Sequence, residues 1–116
     1  MSFATRWFER IRRGVRRRIG EIVYVVVADP PDAPHPGILY IIGEEDTPWC
    51  GVLACPCGCG DAIRLSLVAR DRPSWRLVID NGRPTLSPSI HRVVGCRSHF
   101  FLRAGKIVWA DRRARR

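Results

Sequence analysis

Five residues in this chain have the types and spacing to bind a metal ion: Cys55, Cys57 and Cys59 in CPCGCG (55–60), and Cys96 with His99 in GCRSHF (95–100). Zinc takes four ligands in a tetrahedron, drawn from thiolate and imidazole. The two residues between Cys96 and His99 let one turn carry both onto one ion. Gly58 and Gly60 permit left-handed backbone, so the CPCGCG loop can wrap tightly. The expected ligand set is Cys57, Cys59, Cys96 and His99, with Cys55 as a substitute. Such a set is closed and structural, because a catalytic zinc keeps one position open for water. No HExxH is present, and neither ligand motif contains a glutamate to act as general base.

A second chemistry lies close by in sequence. Ser87, Ser89 and Ser98 flank the second ligand segment, and His91 follows Ser89 by two residues. If 89–91 is extended, Ser89 and His91 point to the same face. They are the candidate nucleophile and base, with Asp80 or Asp61 as a group that orients the histidine. The competing reading makes Ser87-Pro88-Ser89 a turn whose hydroxyls bond local backbone.

Composition limits the alternatives. The chain has 116 residues, 46% apolar and 27% charged, with 20 basic residues against 11 acidic. Residues 1–19 carry net +6 and residues 111–116 net +3, which together account for the whole formal +9. The central part is therefore neutral, and the basic character belongs to the two ends. Those ends, 1–19 and 111–116, are where nucleic acid or an anionic surface would bind, through salt-sensitive phosphate contacts. Five cysteines, an odd number, speak against a closed disulfide set and for a reducing, cytoplasmic setting. The basic stretch before IVYVVVA (22–28) imitates a secretion signal. The run is short and β-branched, however, and reads as a buried strand. No stretch approaches the ~20 apolar residues of a membrane span.

These residues need a scaffold. Phe3, Trp7, Ile11, Val15 and Ile19 recur every four positions, which predicts an amphipathic basic helix over 3–18 that ends at Gly20. Beyond it the period is extended. Strands are expected at 21–28, 38–42, 50–55, 62–69, 75–80, 99–103 and 106–110. DPPDAPHPG (29–37) must be a loop. Asn81-Gly82 and Ala104-Gly105 read as hairpin turns. The expected class is α+β: a mostly antiparallel β domain over 20–110, closed by a Cys/His zinc site, with one N-terminal helix (1–19) and a basic tail (111–116).

CPCGCG, Trp75, TLSPSI (85–90), GCRSHF and GKIVW (105–109), in that order, resemble a bacterial family of unknown function over about 37–110. Its small members are encoded beside ubiquitin-like proteins and their E1-like and E2-like conjugation enzymes. The resemblance implies a metal-binding accessory protein of such a pathway, with a peptidase that matures or removes the modifier as one form it could take. Its partners would be the ubiquitin-like protein or those enzymes. The family pattern has a histidine two residues before the first cysteine, where this chain has Leu53. The alternative function is a non-enzymatic zinc module that holds nucleic acid through its arginine-rich ends.

Overall fold

A computed structural model describes residues 20–44 and 46–110. They form eight strands: β1 (Val23–Val27), β2 (Ile38–Gly43), β3 (Pro48–Ala54), β4 (Ala62–Ser66), β5 (Arg76–Asp80), β6 (Arg83–His91), β7 (His99–Arg103) and β8 (Lys106–Trp109). They make two four-stranded sheets, ordered β1-β2-β3-β4 and β5-β6-β7-β8. Every pairing is antiparallel except β1 with β2, where Val23 lies beside Ile38 in a parallel register. The described residues contain no helix, so the α+β expectation is corrected to an all-β class. The helix read over 3–18 and the tail at 111–116 lie outside the described residues. No helix among the described residues is long and apolar enough to cross a membrane.

Local chemistry explains the strand boundaries. The valine run of β1 favours extended backbone because branching at Cβ restricts χ1. The proline-rich 29–37 segment supplies few backbone donors and connects the parallel pair as a loop. Asn81 and Gly82 (φ 52° and 72°), and Ala104 and Gly105 (φ 48° and 78°), have the paired positive φ of type I′ hairpins. Gly105 also joins the sheets: its N–H donates to Pro84 O at 2.8 Å, and its carbonyl accepts from Ile22 N at 2.6 Å.

The core lies between the sheets. Leu39, Ile41, Leu53, Ile63 and Leu65 from the first meet Leu86, Ile90, Phe100 and Leu102 from the second. Trp109 packs edge-on against Phe100, with centroids 5.7 Å apart. On the opposite face of the first sheet, Val23, Ile38, Tyr40, Ile42 and Val52 form a second buried cluster. Strand β2 is therefore apolar at consecutive positions rather than alternate ones. Leu53 is fully buried in the central core, so packing alone accounts for its identity.

The largest departure from the sequence reading is β6. Arg83–His91 is one nine-residue strand, where a short extended piece and a Ser87-Pro88-Ser89 turn were the competing expectation. Its pairing with β7 shifts register between Leu86 and Ile90. Pro88 cannot donate to a ladder, and the irregularity falls where its missing N–H would matter. Ser89 consequently lies on a strand beside β7. Strand β4 ends earlier than expected, at Ser66, whose hydroxyl accepts from Val68 N (3.2 Å) and donates to Asp71 Oδ2 (2.5 Å).

Candidate functional site

Two loops bring the thiols together. Cys55 follows β3, and the CPCGCG loop turns back on itself through Gly58 N–H to Cys55 O (3.1 Å) and Cys55 N–H to Asp61 O (2.9 Å). Gly58 and Gly60 have φ of 87° and 91°, the left-handed backbone expected of them. Cys96 comes from the loop between β6 and β7. The sulfurs of Cys55, Cys57, Cys59 and Cys96 all lie within 4.8 Å of one another. Cys55 Sγ is 3.4 Å from Cys57 Sγ and 3.6 Å from Cys96 Sγ. Four sulfurs at ~2.3 Å from an ion form a tetrahedron with edges of about 3.8 Å, so the donor set and its spacing fit a metal.

The thiols differ in acidity. Burial pushes Cys55 up to about 12. The bond from the Ser98 hydroxyl, 3.1 Å away, pulls Cys96 down to about 6. At Cys57 burial raises the pKa, but bonds to Ser98 and Cys55 outweigh it and the net shift is downward. Metal binding needs thiolates, so an ion would have to displace the proton held at Cys55. Arg92 supplies positive charge: Nη1 lies 3.3 Å from Cys96 Sγ and 3.5 Å from Cys59 Sγ, and Nη2 pairs with Asp61 Oδ2 at 3.1 Å. The fifth thiol, Cys50, packs against the second apolar cluster, away from the other four.

Beside this cluster sits a serine–histidine pair. Ser89 Oγ and His99 Nε2 are 2.9 Å apart. His91, opposite His99 across β6 and β7, stacks on its ring with centroids 4.3 Å apart and planes 18° from parallel. Trp75 Nε1 donates to Ser89 O at 3.2 Å and holds that stretch of backbone. Trp75 also lines a groove of about 490 Å³ with Pro48, Leu67, Leu77 and Ser87, two residues from Ser89. Among the described residues, no carboxylate hydrogen-bonds His99. Asp61 is engaged by Arg92, and Asp80 lies at the exposed end of β5 opposite Arg83.

The expected residues are thus divided between two clusters. Cys57, Cys59 and Cys96 gather with Cys55, the substitute. His99 is not in that group and faces Ser89. His91 meets His99 rather than bonding Ser89. The reason is strand alternation: Ser98 (1% exposed) and Phe100 (0%) point inward, so His99 between them points the other way. Ser98 and Arg92 are contributors that ligand spacing did not indicate. The interval Arg92-x3-Cys96 was the one available signal for Arg92.

No curated protein and no solved structure matches the chain. A family model described as bacterial ubiquitination-like system serine protease (BubE) matches residues 26–110, which covers both the four-sulfur cluster and the Ser89–His99 pair. On that match, spanning most of its length, the chain belongs to the BubE family.

Proposed function

We propose that this chain is a serine peptidase of a bacterial ubiquitin-like conjugation pathway, with Ser89 as nucleophile and His99 as its base. The observation that carries this reading is the 2.9 Å contact between Ser89 Oγ and His99 Nε2. A base within hydrogen-bond reach is what an alkoxide-forming serine needs. Ser89 Oγ attacks the carbonyl that joins the modifier's C-terminus to its leaving group. His99 Nε2 takes the hydroxyl proton and returns it to the departing amine. Water then attacks the ester at Ser89, with His99 again as base, and releases the acid. The stack with His91 fixes the plane of the His99 ring, which is one part of what an orienting carboxylate does in a triad. The groove beside Trp75 receives the extended residues that precede the scissile bond.

Cys55, Cys57, Cys59 and Cys96 would hold a structural zinc ion, whose contribution is to cross-link the two loops. Four thiolates complete the shell and leave no position for substrate. The chain's free thiols support a cytoplasmic setting, and the pathway's ubiquitin-like protein and E1-like or E2-like enzymes are the partners this reading implies. The test is cleavage of a fusion that carries the modifier's C-terminus. Ser89→Ala should abolish turnover with the melting temperature nearly unchanged, and full activity in that variant would sink the assignment.

A further inference from the structure

We propose that Arg92 is a positioning residue that couples the four-sulfur centre to the strand ends carrying Ser89 and His99. The inference rests on the peptidase reading for what it positions, and on the contacts of Arg92 for how.

Arg92 makes bonds in two directions. Its main chain follows His91, the last residue of β6, and its N–H donates to Ser98 O at 2.8 Å. That bond closes the 92–98 loop immediately beside His91 and His99. Its side chain turns back to both ligand segments: Nη1 reaches Cys59, 33 positions earlier in the chain, and Cys96, four positions later. Nη2 is held by Asp61 at the end of the CPCGCG loop. One planar guanidinium therefore touches both halves of the thiol cluster through Nη1 and Asp61 through Nη2, and an ammonium lacks that second fixed arm.

Charge accounts for the choice of residue. Four thiolates around a divalent ion leave a net of about −2 in a partly buried site, and Asp61 adds another negative charge. Among the described residues, Arg92 is the one cation hydrogen-bonded to these sulfurs. Its N–H groups lower the energy of the sulfur lone pairs and offset that charge, as outer partners of metal ligands do. With the Arg92 side chain replaced, the centre keeps its four ligands and the 92–98 loop keeps its main-chain bond to Ser98 O. Residue 92 loses its side-chain tie to Cys59, Cys96 and Asp61, and the His91–His99 end of β6 and β7 is held less firmly beside Ser89.

The experiment compares wild type, Arg92→Gln and Arg92→Lys in the full chain. Zinc affinity is measured by competition with a chromophoric chelator, and the cobalt(II) form is examined by absorption. A fluorophosphonate probe reports how fast Ser89 is modified, with Ser89→Ala as the blank. Arg92→Gln should bind zinc about 10–100-fold more weakly. Its sulfur-to-cobalt charge-transfer band should move to lower energy, and labelling of Ser89 should slow about tenfold or more. Arg92→Lys, which keeps the charge and loses the fork, should fall between. A folded Arg92→Gln with wild-type affinity, band position and labelling rate overturns the proposal. If Arg92→Gln does not fold, Arg92→Lys decides by the same criteria. If wild type is not labelled, the peptidase reading fails and the coupling with it, while zinc affinity equal to wild type in folded Arg92→Gln overturns the role of Arg92 at the sulfurs.

Discussion

Ser98 and His99 are adjacent in sequence and belong to different sites. The Ser98 hydroxyl lies 3.1 Å from the Cys96 sulfur, whereas His99 Nε2 lies 2.9 Å from the Ser89 hydroxyl. One peptide unit at the start of β7 thus joins the inward thiol cluster to the outward serine–histidine pair, and the first predictions follow from this join.

Removal of metal should affect both sites. Apparent zinc binding in small thiolate sites is roughly 10–16 kcal/mol, as large as the stability of a small domain. Chelation should therefore lower the melting temperature markedly and also slow fluorophosphonate labelling of Ser89. Calorimetry on protein shown metal-free by mass spectrometry checks the first effect. An unchanged melting temperature would contradict a structural metal.

The cysteines should separate four to one. Serine at 55, 57, 59 or 96 should reduce bound zinc below one equivalent. Cys50→Ser should leave it at one, since Cys50 packs with Val52 and Ile42 on the other face of the sheet. His99→Ala should also retain zinc while losing peptidase activity. Metal loss in that variant would return His99 to the ligand set.

His91 and His99 should be separable as well. His99→Gln removes the base and should cost at least a hundredfold in turnover. His91→Ala removes only the ring stack, worth about 0.5–1.5 kcal/mol, and should cost roughly tenfold or less. Single-turnover cleavage of a modifier fusion measures both. Equal losses would mean that His91 acts on the proton itself.

In metal-free protein, Cys96 should be the thiol alkylated first. Its pKa is lowered to about 6, so the reactive thiolate fraction falls as pH drops through 6 and is nearly complete at neutral pH. Cys55, raised to about 12 by burial, should stay unmodified over the same range. Iodoacetamide labelling between pH 5 and 8, read by peptide mass spectrometry, gives the order, and Cys55 reacting first would contradict it.

Gly105→Ala tests the join between the sheets. Its φ is +78°, and a Cβ there would sit 3.1 Å from Ile22 O. Strain from left-handed backbone costs of order 1–3 kcal/mol, and displacing the Ile22 bond adds to it. Denaturant unfolding should show a loss of that size, and a neutral result would mean that the 104–105 turn relaxes without cost.

What the sequence alone determined here is local. The primed turns at 81–82 and 104–105, the proline loop, and most strand spans follow from side-chain sterics and missing N–H groups, which act within a few residues. The gathering of thiols from CPCGCG and Cys96 was legible because few chemistries use so many cysteines so close together. Tertiary structure decided the rest. Spacing placed His99 beside Cys96, as one turn would. Ser98, just before β7, and Phe100 within it are instead packed inward, so alternation sends His99, the first residue of β7, to the opposite face. The partner of Ser89 is chosen by the register between β6 and β7, and that register depends on a ladder irregularity at Pro88. The role of Arg92 rests on contact with Cys59, 33 residues away, set by where two hairpin ends meet. Pattern within a window reports which backbone is favoured, and only packing between distant segments settles which side chains meet.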